Sequence, residues 1–180
     1  SYNALQRNKR SLALNLKEPE AREIFYSMVK DADVLVEGFR PGVMERLGAG
    51  YQRVKEINPR IVYCSVSGYG QDGPYASLAG HDINYISLAG ALDLIGESEE
   101  AKPAIPLNLL ADYAGGGLRG AVAILSALLA REKTGRGQYL DIAMTESVLY
   151  MLAGVLSGYL GQGTLPRRGG SRLNGGAPDY

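Results

Sequence analysis

The chain has 180 residues, 46% of them apolar, which suits one globular domain with a real core. Its 19 Lys and Arg balance its 19 Asp and Glu, so the charge indicates no polyanion-binding surface, and nucleic acid is not an expected partner. One histidine and one cysteine are too few for a zinc site or a Cys/His nucleophile pair, so no metal is expected.

No targeting or membrane-spanning segment is indicated. The first residues are polar and basic, unlike a signal peptide. The longest apolar runs, 121–130 and 147–161, are shorter than the roughly 18–20 residues of a membrane span, and fit buried helices or a subunit interface better. Cys64 lies in the apolar run RIVYCSV and is expected in the core. We therefore expect a cytoplasmic protein that does not enter a membrane.

The first half of the chain alternates strand and helix patterns. SLALNL at 11–16 alternates apolar and polar residues and predicts a strand. The next stretch, KEPEAREIFYSMVKDA, predicts a helix with one apolar face, formed by Ile24, Phe25, Met28 and Val29. ADVLVEGF and RIVYCSVSGYG have the continuous apolar centres of buried parallel strands. PGVMERLG and YQRVKEINP, between them, predict two short helices.

The second half continues the alternation. A helix is predicted from His81 through Leu92, and IPLNLLADYAGGG predicts an extended run that ends in three glycines. LRGAVAILSALLAREK predicts a helix ending at TGRG, QYLDIAM a strand, and TESVLYMLAGVLSGY a long apolar helix. PRRGGSRLNGG, at 166–176, is expected to be mobile. The order of elements predicts an α/β fold with a mainly parallel sheet.

Two glycine clusters, GYGQDG and AGGGL, follow predicted strands, where open α/β sheets bind ligands. Neither matches a GxGxxG or Walker A loop, so a nucleotide-phosphate loop of those types is not indicated. The chain has no initiator methionine and ends in the turn-like SRLNGGAPDY. We expect it to be an internal piece of a longer chain.

Two side chains are the candidates for reaction chemistry. His81, the lone histidine, stands in GHDINY at the start of a predicted helix, and Asp112 precedes the triple glycine at a predicted strand end. A carboxylate there can accept helix N-terminal N–H bonds, and the glycines would let a substrate approach the backbone. Position alone leaves simpler roles open. His81 can be a helix cap or a packing residue, Asp112 an N-cap, and Asp82 a first-turn acid.

Seven stretches, which run in order along nearly the whole chain, carry a resemblance to a known family. They are NKRSLALNLKEPEAREI, DVLVEGFRPGVMERLG, NPRIVYCSVSGYGQDGPY, GHDINYISLAGAL, LLADYAGGG, REKTGRGQYLDIAM and LNGGAPDY. The chain resembles the family III CoA-transferase superfamily (CaiB/BaiF type), most closely its α-methylacyl-CoA racemase branch. The resemblance implies that residues 1–180 form part of a large Rossmann-like, CoA-binding domain. It also implies an N-terminal unit, a small domain and a C-terminal return segment outside this chain, and an interlocked homodimer.

The resemblance assigns roles to particular residues. His81 and Asp112 match the two acid/base groups of the racemases, and a glutamate beyond the matching end of this chain completes their site. The residues that match substrate or CoA contacts are Leu14, Asn15, Leu16, Lys17, Gly38, Phe39, Arg40, Arg46, Gly80, Asp82, Ile83, Asn84 and Tyr85. Arginine suits phosphate, although a solvated Arg on a short helix is the simpler interpretation, and Arg119 and Arg131 are expected on the surface.

The implied reaction is inversion of the α-carbon of a 2-methylacyl-CoA, an isomerisation that belongs to fatty acid metabolism. Neutral His81 would take the α-proton on one face, Asp112 would return one on the other, and helix N–H groups after Asp112 would face the developing negative charge. No cofactor is needed, because CoA is part of the substrate. Two alternatives stay open. One is a CoA-transferase in which Asp112 takes the acyl group as a mixed anhydride, and the other is an inactive CoA-binding fragment.

Overall fold

A parallel sheet forms the centre of the structure, a computed structural model that describes residues 4–170. Within that part of the chain its three strands are β1 (Val34–Glu37), β2 (Val62–Ser67) and β3 (Tyr139–Ala143), in this spatial order. Val36 lies opposite Cys64, and Cys64 opposite Leu140, so the carboxyl ends of the strands share one edge. The predicted α/β fold with a parallel sheet is confirmed, and Cys64 is buried as expected.

Helices α1 (Pro19–Asp31) and α3 (Tyr51–Ile57) cover one face of the sheet, and the short α2 (Val43–Arg46) joins β1 to α3. Proline occupies the start of α1, where its missing N–H costs no helical hydrogen bond. Val29 packs with Val54 and Tyr63 in a buried cluster, and Phe25 lies against it. The apolar face of α1 is thus confirmed at Phe25 and Val29, whereas Ile24 and Met28 are about half exposed, at 49% and 53%.

A long helix lies on the opposite face. A π-helical segment, Leu109–Leu118, continues directly into α6 (Arg119–Thr134). A Cβ at Gly116 would come within 3.3 Å of Val66 Cγ1, so the absence of a side chain there lets the helix lie close to β2. Gly135 closes α6 with a φ of 69°, as the TGRG pattern predicts.

Four further helices complete the fold: α4 (Asp82–Leu88), α5 (Ala91–Leu94), α7 (Met144–Met151) and α8 (Ala153–Gln162). Tyr85 and Ile86 of α4 pack with Ala111 and Val148 in a second buried cluster. Two predicted helices are each divided. The one after His81 breaks before α5, at Gly90 with a φ of 81°, and the long apolar one breaks at Leu152.

The strand predicted at 11–16 is wrong. Residues 11–15 are irregular, and a turn follows at Leu16. Leu12, which the alternation would place on a buried face, is 59% exposed. A strand forms only where a neighbouring strand satisfies its N–H and C=O groups, and the sheet of residues 4–170 provides none for this segment.

The extended run predicted before the triple glycine is also wrong from Leu109 onward, because residues 109–118 are helical. Glycine has a low helix propensity, which favoured an extended interpretation. In the fold, a Cβ on Gly115 would lie 3.2 Å from Met144 O and from Ser147 Cβ. These glycines therefore serve close packing of the chain on itself, and this tertiary contact outweighs their propensity.

The segment predicted to be mobile is anchored in the part that the structure describes. Arg168 Nε donates to Asp93 O at 2.7 Å, and its Nη2 to Asp93 Oδ1 at 2.9 Å. Arg167 pairs with Glu99 at 3.3 Å. These contacts hold Arg167 and Arg168 against residues 93–99, and the mobility of the segment stays a prediction. Residues 171–176 of the segment, and the LNGGAPDY motif, lie outside the described residues.

The continuous helix 109–134 is long and apolar enough to cross a membrane, by length and composition only. The apolar run 121–130, taken by itself, did not predict a helix as long as 109–134. Only 22% of its apolar 18-residue stretch is buried in the described chain. Gly116, Gly120 and Ala127 are buried, but the prediction of a buried helix is wrong for most of the run 121–130.

Candidate active site

A cleft of about 240 Å³ lies where β1 and β2 end at the carboxyl edge of the sheet. Parallel sheets bind ligands at this edge, because the loops that leave neighbouring strands meet there. The cleft brings together two predicted segments that are far apart in the sequence, GFR and the start of GHDINY. Its lining residues include Gly38, Phe39, Arg40, Ser67, Tyr69, Gly80, His81, Tyr85 and Met144.

His81 holds the N-cap position of α4, with an extended backbone. Its backbone N–H donates to Asn84 Oδ1 at 2.9 Å, and its carbonyl oxygen accepts the Asn84 N–H at 2.9 Å. The simpler expectation, that His81 starts a helix, is thus confirmed for the backbone. The residue is exposed and lines the cleft, so the imidazole is accessible from solvent.

Tyr85 forms a buried wall of the cleft, 6% exposed. Its hydroxyl donates to Gly80 O at 2.6 Å, and its ring meets Tyr69 edge-on, with centroids 5.1 Å apart. A Cβ on Gly80 would lie 2.6 Å from the Tyr85 ring, and one on Gly68 would overlap it. Glycine at both positions therefore makes room for this ring beside His81.

Asp82 joins the start of α4 to the π-helical segment. Its side chain is buried, and Oδ2 accepts the backbone N–H of Ala111 and that of Asp112, both at 2.8 Å. The second of these bonds holds the backbone of Asp112 against Asp82, the residue that directly follows His81. Asp82 was predicted to contact substrate, but the contacts that its carboxylate makes are with the protein backbone.

Asp112 lies in the first turn of the π-helical segment, not at a strand end. It is half-buried, and Oδ2 accepts a hydrogen bond from Asn108 Nδ2 at 3.3 Å. Burial raises the pKa of the Tyr85 hydroxyl, and Tyr69 and Asp112 raise it further. Asp112 itself is not among the residues that line the cleft.

The N–H groups after Asp112 were expected to face a substrate, and this expectation is corrected for Tyr113, whose N–H is engaged within the segment. The N–H groups of Ala111 and Asp112 are both engaged by Asp82, and the N–H of Tyr113 donates to Asn108 O at 3.4 Å. The glycines do not open the backbone to substrate at Gly115 or Gly116, which are buried.

The predicted CoA segments lie on exposed surface near this edge. Leu14 and Leu16 are half-buried, and Asn15 and Lys17 are exposed. Arg22 holds this segment in place, since its Nη1 donates to the carbonyl oxygens of Leu16 and Lys17, each at 3.0 Å. The sequence interpretation missed Arg22, whose position in the first turns of α1 carries no signal of this contact.

Three further predicted residues lie on exposed surface. Phe39 is 53% exposed, and its N–H donates to Glu37 Oε2 at 2.8 Å. Arg46 is exposed in the last turn of α2, and Ile83 is 39% exposed on α4. Asn84 is also exposed, with its amide committed to the His81 backbone.

Arg131, expected on the surface, is 7% exposed. Its guanidinium bonds to Asp33 Oδ1 at 2.7 Å and to the carbonyl oxygens of Asp33 and Arg60. The expectation for Arg131 is therefore wrong. Arg119 is exposed as expected, and stacks over the Tyr150 ring at 5.0 Å. Within residues 4–170, no group of three His, Cys, Asp or Glu side chains could hold a metal ion.

The chain matches the model of CoA-transferase family III over residues 1–180, and it belongs to this family. The alpha-methylacyl-CoA racemase of Homo sapiens is 46% identical over 176 residues, which cover 98% of this chain and 46% of that protein. The acetyl-CoA:oxalate CoA-transferase of Acetobacter aceti is 39% identical over 171 residues, covering 95% of this chain and 44% of that protein.

A solved structure agrees. The crystal structure of a CAIB/BAIF family protein from Brucella suis matches with a TM-score of 0.81 at 36% identity, covering 88% of this chain and 42% of that one. The family and the α/β fold that the motifs predicted are confirmed. The chain spans less than half the length of each of these three relatives.

Proposed function

We propose that the complete protein is an acyl-CoA isomerase, which inverts the α-carbon of a 2-methylacyl-CoA thioester. The single observation that carries this proposal is the lone imidazole, His81, at the carboxyl edge of the sheet, one residue from the aspartate that binds the Asp112 backbone. Similarity to racemases at 46% identity supports the same reaction class.

The chemistry needs two proton carriers on opposite faces of one carbon. A thioester acidifies its α-hydrogen only modestly, so removal requires a base held close to it. Neutral His81 takes the α-proton of one epimer, leaving an enolate, and protonated Asp112 delivers a proton to the other face. The roles reverse for the other epimer. Protons balance over the cycle, and CoA enters and leaves as part of the substrate.

The same proposal places CoA along the edge of the sheet. Arg40 lines the cleft with His81, and Arg46 lies beyond it at the end of α2. Guanidinium groups bind phosphate oxygens in pairs, which suits the phosphates of CoA. The segment 14–17, held by Arg22, is proposed to lie beside the adenine end.

The reaction is tested by replacing each proton carrier in the complete protein. Removing a general acid or base costs roughly 10²–10⁴ in rate, so His81→Ala should nearly abolish epimerisation of a 2-methylacyl-CoA. In D₂O this variant should still wash deuterium into the epimer that Asp112 deprotonates, and Asp112→Ala should show the opposite preference. Asp72→Ala, an exposed loop aspartate, is the control and should behave as wild type. Wild-type rates in His81→Ala would reduce the histidine to a helix cap and end the proposal.

A CoA-transferase is the second candidate, because several relatives at 38–43% identity carry that name. In that reaction the Asp112 carboxylate attacks the thioester carbonyl, CoA leaves as the thiolate, and a mixed anhydride forms. Hydroxylamine would trap this anhydride during turnover, and mass spectrometry of the LLADYAGGG peptide would detect the hydroxamate. The isomerase predicts no such adduct. CoA binding with neither activity would identify the chain as a binding fragment.

We also infer that the complete protein is a homodimer. The support is a row of exposed apolar side chains on the long helix, at Leu118, Val122, Leu125 and Leu129, each between 64% and 69% exposed. Water-exposed apolar rows of this kind are commonly covered by another protein surface.

A further inference from the structure

One buried carboxylate links the two proposed proton carriers. Asp82 directly follows His81, is only 4% exposed, and uses a single oxygen, Oδ2, to accept two backbone N–H groups 29 and 30 residues away. Its other oxygen, Oδ1, is buried and receives no hydrogen bond from residues 4–170. Burying a carboxylate with one oxygen that accepts no hydrogen bond costs free energy. The two hydrogen bonds to Oδ2 therefore have to hold the Asp82 side chain in place.

These two bonds act on the reacting group through its backbone. The N–H groups at the start of a helix have no helical partner and carry the positive end of the helix dipole, which makes a carboxylate their natural acceptor. Because one of them belongs to Asp112, the position of Asp82 fixes where the Asp112 side chain leaves the main chain.

We propose that Asp82 is a positioning residue, which sets the distance between the Asp112 carboxylate and His81. This inference rests on the proposed function. Asp82 does not touch the substrate. It begins the helix that His81 caps, and it anchors the segment that carries Asp112, so a shift of either helix start changes the separation of the two proton carriers.

The neighbouring contacts show why this separation depends on Asp82. His81 is fixed independently by Asn84, through hydrogen bonds of 2.9 Å in both directions. Among residues 4–170 the Asp112 carboxylate has one hydrogen bond, at 3.3 Å from Asn108 of its own segment. Loss of Asp82 should therefore move Asp112 more than His81, and the effect should fall on one face of the substrate.

The test compares Asp82→Ala, Asp82→Asn and Asp141→Ala in the complete protein. An asparagine carbonyl can accept both N–H groups at the Oδ2 position, whereas alanine accepts neither. Asp141 is the matched control, because its Oδ2 also accepts a backbone N–H, that of Gln71 at 3.0 Å, on a different loop. Deuterium incorporation is measured separately for each epimer, and amide hydrogen exchange without substrate is followed in the peptides 109–118 and 62–67.

A misplacement of about 1 Å costs on the order of 10²-fold in rate. We expect Asp82→Ala to slow deuterium incorporation by roughly tenfold to a hundredfold for the epimer that Asp112 deprotonates, with a much smaller loss for the other epimer. Amide exchange should accelerate in 109–118 and not in 62–67. Asp82→Asn should restore most of the rate, and Asp141→Ala should leave both epimers unaffected.

Three results would overturn the inference: equal losses for both epimers, faster exchange in 62–67 as well, or unchanged exchange in 109–118. A wild-type protein that forms the Asp112 hydroxamate and exchanges no α-proton would refute the isomerase alone. In that case the variants are compared by the rate at which hydroxylamine traps the Asp112 anhydride. A wild-type trapping rate in Asp82→Ala overturns the positioning role. A wild-type protein with neither activity overturns both.

Discussion

Arg40 and Arg46 stand six residues apart and are in different surroundings. Arg40 shares the cleft with His81, whereas Arg46 is exposed in the last turn of α2, beside Gly42. In the described part of the chain neither forms an ion pair within 4.0 Å. An exposed guanidinium with no carboxylate partner is free to bind an anionic ligand.

At this scale we predict that Arg46→Ala weakens CoA binding by about 1–3 kcal/mol, the range for a hydrogen bond to a charged group. Isothermal titration of the complete protein with CoA measures it. Arg136→Ala is the control, because Arg136 is an exposed arginine just before β3, at the amino edge of the sheet. Equal affinity of Arg46→Ala and wild type would remove Arg46 from the CoA site.

At the scale of elements, the helix 109–134 organises the sheet from both ends. Its π-helical start is bound by Asp82, and its glycines lie against β2 and α7. Its last turns carry Arg131, which bonds to the carbonyl oxygens of residues 33 and 60, just before β1 and β2. One guanidinium thus ties the helix to the amino ends of two strands.

We predict that Arg131→Ala lowers the free energy of unfolding by about 2 kcal/mol, since two carbonyl groups lose a charged donor. Asp33 adds little to the loss, because its side chain is 75% exposed and regains water. Urea-induced unfolding measures the change. Arg119→Ala on the same helix removes an exposed contact with Tyr150 and should cost about 0.5–1 kcal/mol. If both variants lose the same amount, the Arg131 bonds do not stabilise the fold.

For the whole molecule, three groups in the strands of the sheet hold their protons more tightly in the folded state. Burial, with nearby Glu37 and Asp141, raises the pKa of the Cys64 thiol from 9.0 to about 11. Burial also raises the pKa values of the Tyr63 and Tyr139 hydroxyl groups, and Glu37 and Glu45 add to both. All three residues lie in strands of the sheet, so the folded sheet keeps these hydroxyl and thiol groups protonated to higher pH.

Each of these pKa values is higher in the folded than in the unfolded chain, so the unfolded state loses protons first as pH rises. For Cys64, the stabilisation is fully present below about pH 9 and is lost between pH 9 and about 11. We predict that the free energy of unfolding is nearly constant from pH 7 to about 8.5 and then falls. Unfolding in urea at several pH values tests this, and Cys64→Ala should reduce the fall. A constant value through about pH 10.5 would contradict it.

The sequence alone determined those features that depend on near neighbours in the chain. The apolar centres of β1 and β2, the proline start of α1 and the glycine end of α6 are local patterns, and each element forms where it was predicted. The predicted burial holds for β2 but is wrong for β1, an edge strand of the described sheet whose Val36 is 58% exposed. Periodicity and capping act over a few residues, so they can be recognised without the fold. The motifs likewise identified the family.

The tertiary structure alone decided whatever joins distant residues. The bond from Asp82 to Asp112 spans 30 residues, and that from Arg131 to Asp33 spans 98. The same contacts made a helix of the glycine-rich segment at 109–118 and left residues 11–16 without a strand partner. Local propensities differ by about 1 kcal/mol or less per residue, so burial and long-range hydrogen bonds outweigh them, and neither can be read from the order of the residues.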